Sequence, residues 1–336
     1  MSQITIVMYH YVRQLQQSSY PGIKGLTVEQ FNGQLDYIEK HYQPLRIEEL
    51  IQAVREDSCD RLPGNALLLT FDDGYSDHFH TVFPELRRRG IQGCFFPMAR
   101  AIQEQVVLDV NKIHFLLATA STGKLVPILY DRLDQYRSEY NLESNAYYYR
   151  KYAPPGRYDD ADTSFLKRML QKVLPEKLRN RLLEDLFDRF VTTDETAFAA
   201  ELYLSVEQLQ EMVQNGMHVG SHGYDHYWLA HLTPEQQERE IDLSLKFMRE
   251  VGVSGEDWVF CYPNGSYNES LIDLLKRKRC SLAFTTSTGL ATINGENAFT
   301  LERLDTNDLP QQAVATPVSW TRQVLDIASS SIKGEE

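Results

Sequence analysis

Asp72 and Asp73 stand side by side in Leu69-Thr-Phe-Asp-Asp-Gly-Tyr75, at the end of an apolar run that begins at Ala66. Consecutive strand residues point to opposite faces, but a strand end followed by glycine can turn so that both acids reach one pocket. Two carboxylates held that close are unfavourable unless a cation, a proton or hydrogen bonds compensate. Asp-Asp-Gly is also an ordinary turn, so the pair needs a partner before it signifies chemistry. Val219-Gly-Ser-His-Gly-Tyr-Asp-His226 supplies one, because its two histidines are four apart and on one helical turn would offer both imidazoles to a single ion. One carboxylate and two histidines leave coordination positions open for water and substrate, as a catalytic cation requires. The other carboxylate is then free to deprotonate a water that the ion has made more acidic. In Trp258-Val-Phe-Cys-Tyr-Pro-Asn-Gly-Ser-Tyr267 a Tyr-Pro-x-Gly turn closes a further apolar run and can aim a backbone N–H at a developing oxyanion.

All three motifs end predicted strands, so a βα-rich scaffold has to bring those ends together. Ile4 to Met8, Ala66 to Phe71, Gly93 to Met98, Met217 to Ser221, Trp258 to Tyr262, Leu282 to Thr286 and Ala298 to Leu304 read as strands. Between them, Thr27 to Tyr42 opens with a Thr27-x-x-Gln30 capping box, and Asp77 to Arg89 stops at Gly90. Val206 to Asn215, Pro234 to Val251 and Ser270 to Arg279 complete the helical set. Repeated βα units of this kind imply a parallel sheet, open or closed into a barrel. Residues 101–200 break the rhythm: polar, helical in pattern, with tyrosines at 147, 148, 149 and 152, and far longer than the roughly 30 residues of a βαβ unit. They form a helical insertion in a domain of residues 1–100 and 201–336, placed either over the mouth of the barrel or as a packing or oligomerisation appendage.

With 34 Lys and Arg against 47 Asp and Glu, the net charge of -13 argues against a nucleic-acid partner. Any anionic ligand needs a local Arg or Lys. Cys59, Cys94, Cys261 and Cys280 are scattered and form no CxxC pair, so free buried thiols are expected. Met1 to His10 lacks a basic and apolar leader, and no stretch approaches the roughly 18 apolar residues of a membrane helix. The expected compartment is the cytoplasm, where thiols stay reduced.

TFDDG at 70–74, SHxxxH at 221–226 and F-x-Y-P-x-G at 260–265 resemble the first three motifs of the polysaccharide deacetylases, the NodB-homology group or carbohydrate esterase family four. The resemblance implies a deformed (β/α) barrel and a hydrolase acting on a C–N amide bond: an N-deacetylase of amino sugars working through a tetrahedral intermediate. Asp72 then matches the catalytic base, and Asp73, His222 and His226 match the ligands of a divalent metal, usually zinc. Asn264 takes the position whose backbone amide binds the oxyanion. Two departures matter. Cys261 stands where many members carry an arginine that steers the base, and no C-terminal Leu-x-His supplies the acid. Members acting on poly-N-acetylglucosamine look circularly permuted, with a Tyr-His near the first strand serving as acid; Tyr9-His10 resembles that. His10 also stands at the end of the first predicted strand, and histidine is the natural proton donor near neutral pH. Arg303 on the last strand is the candidate to replace the missing arginine by pairing with Asp72, unless it serves only as a fold-stabilising ion pair. A cytoplasmic enzyme would take a nucleotide-linked or lipid-linked glycan precursor. Sugar N-deformylase, sugar O-deacetylase and inactive carbohydrate-binding module are the rival readings.

Overall fold

The β-branched run at the N-terminus forms β1 (Ser2–Tyr9), and Gln43–Pro44 (β2) and Ala66–Asp73 (β3) follow in the computed structural model, which describes residues 2–253 and 255–332. β3 pairs in parallel with β1, with Tyr9 opposite Phe71, and with β4 (Gly93–Pro97), with Asp72 opposite Phe96. β5 (His218–Val219) extends the sheet beyond β4. A parallel bridge between Ser221 and Phe260 leads on to β6 (Val259–Cys261), which pairs with β7 (Leu282–Phe284). A second bridge, Phe284 to Leu301, and β9 (Leu304–Asp305) beside β1 return to the start, while β8 (Ala291–Ile293) runs antiparallel along the first residues of β1. The result is a deformed parallel barrel with short staves on its β5 to β9 side.

Alternation along the staves sorts the core into two layers. Leu67, Leu69 and Phe71 join Val7, Tyr9 and Phe95 and pack on Phe31, Leu35 and Ile38 of α1 (Val28–His41). Ala66 and Leu68 join Ile4, Ile6, Phe96, Val259, Cys261, Leu282 and Phe284, a cluster drawn mostly from the strands themselves. Every residue of β3 is buried, and each large apolar side chain so placed contributes about 1.5–3 kcal/mol. The helices begin and end as their caps dictate. α1 carries the Thr27–Gln30 capping box, and the helix Phe83–Arg89 stops at Gly90 with φ +70°.

Clustering of contacts gives two units: Met1–Gln14, Gly25–Glu104 and Ala200–Glu336 in the first, Leu15–Lys24 and Gln105–Ala199 in the second. The second is helical and has its own core, including Leu129, Leu133, Phe165, Met169 and Leu183. It also takes in the short segment after Gln14, which the sequence alone places in the barrel. Among the described residues no helix is long and apolar enough to cross a membrane.

Two expectations need correction, and one expected helix differs in its winding. Ala298 to Leu304 is not one strand: the chain turns there, touches β7 at Leu301 and pairs with β1 only from Leu304. The histidine pair does not lie on a helical turn. Residues 222–228 are irregular, with φ +74° at Gly223 and +54° at His226, and the two rings meet because the loop folds back. Residues 78–82 open their helix as a π turn, which apolar periodicity does not reveal.

Candidate active site

Asp72 shares its strand parity with Ala66 and Leu68, so its carboxylate joins the inner layer. There Arg303 meets it with two parallel hydrogen bonds, Nη1 to Oδ1 at 2.9 Å and Nη2 to Oδ2 at 2.8 Å. Arg303 is 1% exposed and is itself fixed by Thr285 O at 2.8 Å and Thr70 Oγ1 at 3.0 Å. The Cys261 thiol donates to Asp72 Oδ2 at 3.4 Å. Burial alone would raise the pKa of Asp72, but the guanidinium charge and its hydrogen bonds outweigh that and hold the carboxyl at about 2.

Asp73 would face the opposite side were the strand to continue. It has φ +73° and is followed by Gly74 at +69°, two left-handed residues that turn the chain back toward its neighbour's side. A Cβ at position 74 would lie 2.7 Å from Pro97 Cβ, so glycine is required by space as well as by φ. The turned carboxylate receives the Tyr75 hydroxyl on Oδ2 at 2.5 Å. Its other oxygen, Oδ1, lies 3.4 Å from His222 Nε2 and 3.6 Å from His226 Nε2.

The His222 tautomer follows from its other nitrogen. Nδ1 is 2.8 Å from the Cys261 carbonyl oxygen, which only accepts, so Nδ1 carries a proton and donates. Nε2 is left facing Asp73. Burial lowers the proton affinity of His222, yet the Cys261 and Asp73 contacts outweigh it and hold the ring well above the usual histidine range. Burial holds His226 down to about 4, so this second imidazole is neutral. Asp73 is held well below the carboxylate range: burial opposes ionisation, and the histidines beside it prevail.

This donor set fits a divalent cation. Asp73 Oδ1 is buried and without a hydrogen-bond partner among the described residues, although a carboxylate oxygen in that position is costly to leave bare. It converges with the Nε2 atoms of two histidines, and the three ligand atoms lie within 4.8 Å of one another. The field that draws a proton to His222 favours a cation in the same place. A second grouping, Asp72, His222 and Cys261, is equally tight. It is the poorer ligand set, because Asp72 is occupied by Arg303 and burial pushes the Cys261 thiol up and keeps it protonated.

His10 follows Tyr9 at the end of β1, next to the β3 end that bears the acids. Its carbonyl accepts from Nε2 of the buried His78 at 2.9 Å. Asn264 lies in the turn Pro263–Gly265 that follows β6, with φ +55°. Residues 189–282, which span the histidine loop and this turn, match the family model described as polysaccharide deacetylase. Over that segment the chain is similar to the polysaccharide deacetylases. A 90-residue stretch is 33% identical to YxkH of Bacillus subtilis (strain 168), named as a polysaccharide deacetylase; it covers 27% of this chain and 32% of that relative. The whole fold superposes on Streptococcus pyogenes deacetylase PplD with a TM-score of 0.55 at 16% identity, covering 97% of this chain and 98% of that one. IcaB from Ammonifex degensii gives 0.54 at 19%, covering 98% of each chain.

Against this polysaccharide deacetylase fold, the structure brings together Asp72, Asp73, His222, His226 and Arg303, with His10 on the adjacent strand end and Asn264 three residues past Cys261. Sequence reasoning passes over Tyr75. It also misses Glu240, Ser244 and Arg100, which hold the histidine loop. Glu240 and Ser244 carry one readable signal, polar residues at helical spacing on what should be the buried face of a helix.

Proposed function

We propose that this chain removes the N-acetyl group from an amino sugar, as a component or precursor of a bacterial surface polysaccharide, by divalent-metal-dependent hydrolysis with zinc as the first candidate. The observation that carries the reading is the bare Asp73 Oδ1, set 3.4 and 3.6 Å from two histidine Nε2 atoms beside a second, ionised acid. When bound, the cation supplies a Lewis acid that makes water more acidic and polarises the acyl oxygen. Asp73, His222 and His226 hold it. Asp72, ionised and oriented by Arg303, accepts the proton of the attacking water. The backbone amide at Asn264 donates to the oxyanion of the tetrahedral intermediate. His10 protonates the departing amine, which is a poor leaving group without that proton.

The likeness to a de-N-acetylase from Aggregatibacter actinomycetemcomitans, at 14% identity and a TM-score of 0.54, supports the choice of an amide bond. The buried thiols of Cys94, Cys261 and Cys280 suit the reducing cytoplasm proposed as its compartment.

Acetate release from N-acetylglucosamine oligomers, measured with and without a chelator, tests the proposal. Wild-type protein should release acetate and lose the activity to the chelator, with recovery on adding zinc. His10→Ala should lower kcat by about 100-fold or more with its zinc content unchanged. No hydrolysis of any acylated sugar by zinc-loaded wild type would refute the function; formate in place of acetate from N-formyl sugars would redirect it to deformylation.

A further inference from the structure

The helix Pro234–Val251 (α2) carries a polar stripe on its buried side. Gln237, Glu240 and Ser244 are 1%, 7% and 1% exposed, at positions three and four apart where an amphipathic helix ordinarily places apolar side chains. All three reach one stretch of chain, while the Gln237 amide also joins Asn268 and Ser270. Ser221 Oγ donates to Ser244 Oγ at 2.8 Å and accepts the Gly223 N–H at 3.2 Å. Glu240 Oε2 accepts two successive backbone amides, Tyr224 at 3.0 Å and Asp225 at 2.9 Å. Gln237 Nε2 donates to Leu229 O at 2.9 Å. From the opposite edge, Arg100 Nη1 donates to Asp225 Oδ2 at 2.6 Å and the Arg100 N–H to Tyr224 O at 2.9 Å. The Tyr224-Asp225 segment is thus gripped on both sides.

His222 and His226 flank that segment. Between Ser221 and His226 the backbone twice enters the left-handed region, at Gly223 and at His226 itself, where an L side chain is disfavoured. Such a conformation persists only where its surroundings over-determine it. Buried polar groups on a helix also weaken it unless each is satisfied. Both unfavourable features are accounted for if the stripe exists to impose the loop's shape.

We propose that Glu240, assisted by Ser244, is a positioning residue for cation binding: the stripe fixes the loop so that both Nε2 atoms aim at Asp73 Oδ1. The inference rests on the metal-site reading above. Without the grip the loop spreads over conformers, and the apparent affinity falls by the fraction that remains competent. Partners that orient metal ligands typically change affinity by about 10–100-fold.

The test is zinc affinity by competition with a chromophoric chelator, with the melting temperature of each zinc-free variant recorded alongside. Glu240→Ala should weaken zinc binding by about 10–100-fold. Glu240→Gln, whose amide oxygen still accepts, should lose less, and Ser244→Ala should fall between them and wild type. Phe247→Ala removes a buried apolar contact on the same helix; it should lower the melting temperature and leave zinc affinity alone. Should Glu240→Ala not fold, the Gln and Ser244→Ala variants carry the comparison. Zinc affinity within twofold of wild type in the Glu240 and Ser244 variants, or an equal loss in Phe247→Ala, overturns the positioning role. Failure of wild type to bind zinc, or undiminished binding by Asp73→Ala, overturns the metal-site reading itself.

Discussion

A carboxylate and a guanidinium buried together, as Asp72 and Arg303 are, stabilise little as a pair, but each is hazardous alone. Arg303→Met leaves an uncompensated buried charge and should cost about 3–5 kcal/mol in urea unfolding. Adding Asp72→Asn should restore a good part of that, because the stranded charge is gone; a double variant as unstable as the sum of the singles would contradict this. His78 gives a pH dependence of the opposite kind of group. Burial holds this imidazole down to about 4, against about 6.5 in an unfolded chain. Between those values the unfolded chain binds a proton that the folded one does not, so stability rises with pH there and is lost as pH falls from about 6.5 to about 4. The ceiling is about 3 kcal/mol. His78→Gln keeps an N–H for the His10 carbonyl and should flatten that part of the stability profile; an unaltered slope between pH 7 and pH 4 would exclude His78 as its source.

Strands and helices with strong local signals are legible in the order of amino acids alone. β3 reads directly from ALLLTF, the capping box at Thr27 marks its helix, and Gly90 marks a helix end. What is not legible are features decided by neighbours far away in sequence. Residues 298–304 look extended, but a turn from Asn297 to Thr300 interrupts them, and only Leu301 and Leu304 form bridges, to β7 and β1. The four-residue spacing of His222 and His226 suggests a helical turn, while the convergence is imposed by Glu240, Ser244 and Arg100 from other elements. Arg303 is nameable as a partner for Asp72, but not the double hydrogen bond or the Thr70 and Thr285 contacts that fix it. The end of β3 lies between these cases: Asp-Asp-Gly foretells a turn, and the structure shows why it has this shape. Gly74→Ala forces a Cβ to within 2.7 Å of Pro97 at φ +69°. It should destabilise the protein by more than the roughly 1 kcal/mol of an unstrained glycine replacement, and weaken zinc binding because Asp73 is displaced. Unchanged affinity would show that the acid pair tolerates a different strand end.

At the scale of the whole molecule, the two units have separate cores, which stability measurements can read. The residues proposed for chemistry, from His10 to Arg303, all lie in the segments of the first unit. The second has its own hydrophobic cluster, in which Leu133 is fully buried among residues of the same unit. A core of that kind allows unfolding in parts, each with its own local stability. Leu133→Ala removes a buried side chain and should cost about 2–5 kcal/mol, borne by the second unit. Hydrogen exchange should therefore quicken in residues 109–190 and stay near wild type along β1, β3 and β4, while the zinc dissociation constant stays within about twofold, less than the tenfold of 1.4 kcal/mol. Exchange rising evenly through both units would mean that they unfold as one cooperative body, and a parallel loss of zinc would mean that the metal centre depends on the helical unit for its shape.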